Sequence, residues 1–121
     1  MNLEEEITVA FNLEGITLLS DRHISENPCP LFNNPDIPQE LLIPQYMLWV
    51  VKYGDADGNI VCENTLSDLA FLGRTQKPTI TMFRQMCNKQ QSEIISKFIK
   101  WCMRNLFLPD KTIIDRVQKY W

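Results

Sequence analysis

Ser20-Asp21-Arg22-His23 sets a hydroxyl, a carboxylate, a guanidinium and the chain's single imidazole side by side, and Cys29 follows shortly after. Such a mixture can do general acid–base work, because imidazole titrates near neutrality and a carboxylate can orient it. Neighbours in sequence seldom converge on one substrate, however, and nothing beside His23 marks a nucleophile for it to activate. The favoured reading is a solvated cluster at the rim of a loop. Asp21, Arg22, His23 and Cys29 stand as the alternative site, that of a small enzyme or ligand-binding domain, since loops carry function more often than cores do. Ser20, Ser25 and Ser67 lie in no GxSxG elbow, and the sequence holds neither a GxxxxGK[ST] phosphate loop nor a GxGxxG turn.

Metal chemistry fares no better. The stretch from Tyr53 to Asn64 has the look of a calcium loop, but placing Gly58 at the glycine position puts Tyr53 and Asn64 where the cation needs carboxylates. A plain Asp-Gly turn is expected there. The four cysteines, Cys29, Cys62, Cys87 and Cys102, are far apart, and no CxxC occurs. His23 has no second ligand near it for a zinc site. No metal and no cofactor is expected, and the thiols read as reduced, buried and structural.

The aromatic residues are more suggestive. Trp49 lies in the apolar run from Tyr46 to Val51 and reads as core. Trp101 falls beside the apolar stripe of its helix, near Lys97, Lys100 and Arg104, where an amphipathic ring can meet a partner. Tyr120-Trp121 either docks the last helix, together with Ile113 and Val117, or offers an apolar patch. Helical spacing favours docking. Trp101, Arg104, Tyr120 and Trp121 are the candidate protein-binding residues.

These residues must be positioned by one domain, since 121 residues suffice for a single core over 1–121. Hydrophobic residues make up 45% and charged residues 22%, which excludes a disordered or fibrous chain. A formal net charge of -3 argues against a nucleic-acid or anionic-membrane surface. Lys89, Lys97, Lys100, Arg104, Lys111, Arg116 and Lys119 crowd the C-terminal third, but Glu93, Asp110 and Asp115 intersperse them, as on an ordinary solvated face. No run is apolar enough to span a membrane. The opening Met1-Asn2-Leu3-Glu4-Glu5-Glu6 is acidic where an export signal starts basic, so a cytoplasmic location is expected.

The patterning predicts a mainly α domain of about five helices, with a short β-hairpin or extended pair, Ile16–Leu19 against Ile60–Cys62, as the α+β alternative. Asn2 caps a first helix that Gly15 ends. Ser20 to Asp36 is irregular, dense in Asn and Pro. A turn at Pro38 to Leu42 precedes a buried helix from Pro44 or Gln45 to Tyr53, stopped by Gly54. Thr65 caps a helix that Gly73 ends, and a loop containing Pro78 comes after it. Asn88 with Gln91 forms a capping box for a helix to about Asn105, with Ile94, Ile95, Phe98, Ile99 and Cys102 on one face. Asp110 caps the last helix.

An N-terminal helix ending near Ala10-Phe11, the central Leu42-Ile43-Pro44-Gln45-Tyr46-Met47-Leu48-Trp49, and Phe83-Arg84-Gln85-Met86-Cys87-Asn88-Lys89-Gln90-Gln91 leading to Ile95, Phe98, Ile99 and Trp101 together resemble a family of small bacterial cytosolic proteins of unknown function. The 20–36 connection is shorter here than in that pattern. The resemblance implies a bacterial cytosolic origin and carries no activity. The leading functional expectation is therefore a non-enzymatic domain that binds another protein, in the manner of an inhibitor or immunity-type partner. A small-molecule site around the 20–36 segment and a structural homodimer are the alternatives.

Overall fold

Asn2 opens the first helix as its side chain dictates: Oδ1 accepts the Glu5 N–H at 2.9 Å, and Glu4, Glu5 and Glu6 lie at the positive end of the dipole. The structure is a computed structural model that describes residues 1–54, 60–74, 82–107 and 111–121. Helix α1 (Leu3–Ala10) ends not at Gly15 but at Asn12, whose φ of 55° turns the chain left-handed. Leu13 N–H reaches Thr8 C=O at 2.9 Å and Asn12 N–H reaches Val9 C=O at 3.2 Å, so the last turn's carbonyls are satisfied by a Schellman closure. Gly15, with φ 77°, instead serves the next turn, in which Ile16 N–H returns to Leu13 C=O.

The α+β alternative is not what the described residues form. Ile16 is a bend and Thr17 to Leu19 belong to no helix or strand, and Leu19 N–H is taken by the Gln45 side chain at 2.6 Å. Its supposed partner, Ile60-Val61-Cys62, is the opening turn of a helix. A strand survives only with a ladder beside it, and among the described residues there is none. The Ser20–Asp36 segment is not wholly irregular either. Ser20 Oγ caps α2 (Asp21–Glu26), Pro30 opens the single turn of α3 (Pro30–Asn33), and Asn27 and Asn34 terminate them.

The central helix is one piece, α4 (Gln39–Tyr53), rather than a turn followed by a helix. Pro44 lies inside it and has no N–H for the Glu40 carbonyl. One residue on, the Gln45 amide donates to Leu41 C=O at 2.9 Å while its oxygen holds Leu19, so this nearly buried side chain pins the 17–19 segment to the helix. Gly54, at φ 58°, stops α4 as expected. In α5 (Ile60–Arg74) Thr65 is no cap: its hydroxyl bonds back to Val61 C=O at 2.7 Å. Gly73 does not end α5 but lies within it. After α6 (Met82–Met86), the reciprocal Asn88–Gln91 box opens α7 (Lys89–Asn105) with bonds of 2.8 and 2.9 Å, and α8 (Lys111–Tyr120) closes the order. The 55–59 turn, the loop around Pro78 and the Asp110 cap lie outside the described residues.

Packing obeys the stripes. Helix α4 touches α1, α2, α3, α5 and α6, which explains why its apolar residues run almost all round. Leu42, Ile43, Tyr46, Met47 and Val50 are fully buried there, in one core with Ile7 of α1 and Leu66, Leu69 and Leu72 of α5. The predicted α7 face, Ile94, Ile95, Phe98, Ile99 and Cys102, is buried in full. At ~1.5–3 kcal/mol per fully buried aliphatic or Phe side chain, this core dominates the stability.

Candidate functional site

The Asp21–Cys29 cluster does not converge. Arg22 points to solvent and pairs with Glu26 at 2.8 Å. Asp21 turns toward α4, taking the Tyr53 hydroxyl and lying 3.6 Å from Lys52 Nζ. His23 turns the other way, with Nε2 at 2.7 Å from Asn34 Oδ1. Cys29 accepts from the Asn64 amide at 3.4 Å. The expected solvated rim describes Arg22 but not His23, which belongs to a chain of partners under α3. Asn34 donates to Pro30 C=O and to the Tyr46 hydroxyl, both at 2.8 Å, and Tyr46 donates onward to Asn27 C=O at 2.6 Å. With both amide hydrogens so placed, Asn34 Oδ1 must accept, so His23 carries its proton on Nε2. The Nε2 bond holds His23 to Asn34, and the geometry reads as a fastener for α2 and α3 on α4.

The electrostatics around this fastener are those of burial. Desolvation pushes the Tyr46 hydroxyl up, opposed by the Asn34 bond and reinforced by the Cys29 and Asp68 charges. Asp68 of α5 accepts the Leu31 N–H at 3.1 Å, yet burial outweighs that bond and raises its carboxyl above the usual aspartate range. A raised folded value means that the native state holds the proton more tightly than the unfolded chain. The resulting stabilisation is full below the ordinary value of about 3.9 and is lost as pH rises through the folded value. Asp68→Asn keeps an acceptor for Leu31 and removes the charge. Its urea midpoint is expected to match or exceed wild type at pH 7 and to lose the wild-type gain on acidification. A wild-type midpoint that falls steadily from pH 7 to 4 while the variant's does not would contradict this role of Asp68.

Trp101 and Arg104 do come together. They line one cleft of about 240 Å³ with Lys97 and Asn105 of α7 and with Met1, Leu3 and Glu6 around α1. Lys97 Nζ meets both Glu6 oxygens at 2.9 and 3.0 Å, and Asn105 folds back onto Trp101 C=O at 2.9 Å. The Trp101 ring is half-buried, and Arg104 is exposed. A surface pair such as Lys97–Glu6 contributes ~0–1 kcal/mol, so it shapes the wall rather than holding the fold.

Tyr120 and Trp121 are elsewhere. Trp121 Nε1 donates to Leu69 C=O at 2.7 Å, its ring lies 5.9 Å from Phe83, and the Arg84 guanidinium sits 5.2 Å above it. Arg84 also bonds Tyr120 C=O. Gly73 makes the room: a Cβ there would stand 2.7 Å from both Trp121 Nε1 and Tyr120 Cβ. The docking favoured by helical spacing is what is seen, and it separates this pair from the Trp101 cleft. Glu6 and Leu3 carried no sequence signal toward that cleft, because a contact such as Glu6–Lys97, across 91 positions, is invisible to local periodicity.

Fold and cleft together define an all-α domain with eight helices among the described residues. None of these helices is long and apolar enough to cross a membrane, and among the described residues no three metal-ligating side chains are gathered. Comparison with protein-family models, with curated proteins and with solved structures finds no match.

Proposed function

We propose that this chain is a non-enzymatic protein-interaction domain, of inhibitor or immunity type, acting in a bacterial cytoplasm and binding its partner through the Trp101–Arg104 cleft. The juxtaposition of Trp101 and Arg104 along one cleft, beside the buried stripe of α7, carries this reading. Aromatic and Arg side chains in a partly desolvated recess are the usual anchors of an interface. The likeness to small bacterial proteins belongs to the same proposal.

Tagged chain, Trp101→Ala and Arg104→Glu are tested side by side for capture from native bacterial lysate. The expected result is one stoichiometric protein, reduced at least about tenfold in each variant, as befits hot-spot truncation. Capture unchanged in both variants sinks the cleft as the binding face.

A small-molecule reading survives at one residue of the alternative site. Asp21 lines a separate cleft of about 250 Å³ with Gln45, Trp49 and Lys52, whereas His23 and Cys29 do not. A ligand that raises the melting temperature, and fails to in Asp21→Asn, would favour that cleft.

A further inference from the structure

Among the described cysteines two stand apart. Cys62, near the start of α5, and Cys102, near the end of α7, are both fully buried, and their sulfurs face one another at 4.0 Å. Cys29 and Cys87 are half-buried and lie elsewhere, one before α3 and the other after α6. A disulfide needs roughly 2.05 Å between sulfurs. We infer that Cys62 and Cys102 are the two halves of a latent disulfide, an oxidation site that clamps α5 to α7 when the chain meets a peroxide. The remaining gap of about 2 Å is the scale that rotations about the two Cα–Cβ bonds can close, given sulfurs already in contact and covalent geometry that tolerates a range of Cα separations.

The chemistry balances without any other group. One thiol loses its proton, and the thiolate attacks a peroxide oxygen, breaking the O–O bond to give a sulfenic acid and hydroxide. The second sulfur attacks the sulfenic sulfur, forms the S–S bond and expels the remaining oxygen as water once the two thiol protons are counted. Two electrons leave the cysteine pair, one hydrogen peroxide is reduced, and two waters result.

Burial sets the tempo. The contact with Cys62, and then desolvation, push the Cys102 thiol up, so the nucleophilic thiolate forms only when α5 and α7 part for a moment. Reaction is therefore slow and tracks local opening. Once closed, the ring joins positions 40 apart and restricts the unfolded chain. Cys102 is also the neighbour of Trp101, so the clamp tethers the end of α7 that carries the proposed binding cleft.

The test uses the full chain with Cys29→Ser and Cys87→Ser, which removes competing thiols at half-exposed positions, with wild type mapped in parallel. After hydrogen peroxide and alkylation of remaining thiols, a non-reducing peptide map is expected to show a Cys62–Cys102 linked peptide two hydrogens lighter than its parts. The melting temperature should rise on the order of 10 °C, reverse with dithiothreitol, and stay unmoved in Cys62→Ser. Cys62 and Cys102 recovered as separate alkylated or sulfinic peptides would overturn the inference, as would a linked peptide with no gain in melting temperature.

Discussion

Tyr46→Phe is expected to lower stability by about 3 kcal/mol, a drop of ~10 °C in melting temperature for a domain of this length. The substitution deletes one oxygen and changes almost no volume, so the loss comes from hydrogen bonding rather than from a cavity. That oxygen donates to Asn27 C=O and accepts from Asn34 Nδ2. Tyr46 is fully buried and Asn34 is 5% exposed, so on the Asn34 side water cannot replace the missing partner. Each stranded group costs ~1–3 kcal/mol, and two are affected, although Asn34 keeps Pro30 C=O. Because the network ties α2 and α3 to α4, hydrogen exchange should accelerate at Asp21–Glu26 and Pro30–Asn33 well before it does in α7. A chemical melt within about 0.5 kcal/mol of wild type, the scatter of an ordinary surface substitution, would show that the network is not a fastener.

Trp121→Ala carries the second large effect, about 3 kcal/mol, the low end of the range for deleting a packed Trp because the ring is half-buried. It removes the indole donor to Leu69 C=O, the packing on Phe83 and the platform under Arg84. Gly73→Val should reproduce the same loss from the opposite side, since a Cβ there collides with Trp121 and Tyr120. The two substitutions act on one contact, so the double variant should cost clearly less than the sum of the singles. Full additivity, measured by urea melts of all four chains, would mean that Gly73 and Trp121 stabilise the domain through separate contacts.

How far the sequence can be read depends on how local each signal is. Helix α7 is legible because its box and its stripe are both written within one helix: Asn88 and Gln91 bond each other, and Ile94 through Cys102 share a face. Ile60-Val61-Cys62 misleads because a short apolar run fits a strand or a buried helical turn equally, and Thr65 imitates a start signal. Its hydroxyl in fact bonds backwards, to Val61 C=O. Asn12 takes the left-handed position for which Gly15 is the stronger candidate by residue type. Pro44 reads as a helix start, yet burial on every side holds α4 together across it and Gln45 reaches the carbonyl beside the gap. At the site, the spacing places Trp101 beside Arg104 correctly, and the wall supplied by α1 is out of reach. The His23–Asn34–Tyr46 chain joins three elements across separations of 11 and 12 positions, so His23 passes for a surface residue.

In the proposed reading two tryptophans divide the labour: Trp121 packs into the fold against Leu69 and Phe83, and Trp101 is left for a partner. Thermal melts of Trp101→Ala and Trp121→Ala, each paired with lysate capture well below the lower melting temperature, test that division most directly. Trp101→Ala is expected to melt within a few degrees of wild type and to lose the captured protein at least about tenfold, while Trp121→Ala melts ~10 °C lower. A Trp101→Ala chain that melts as low as Trp121→Ala, or that keeps its partner at full stoichiometry, would contradict it.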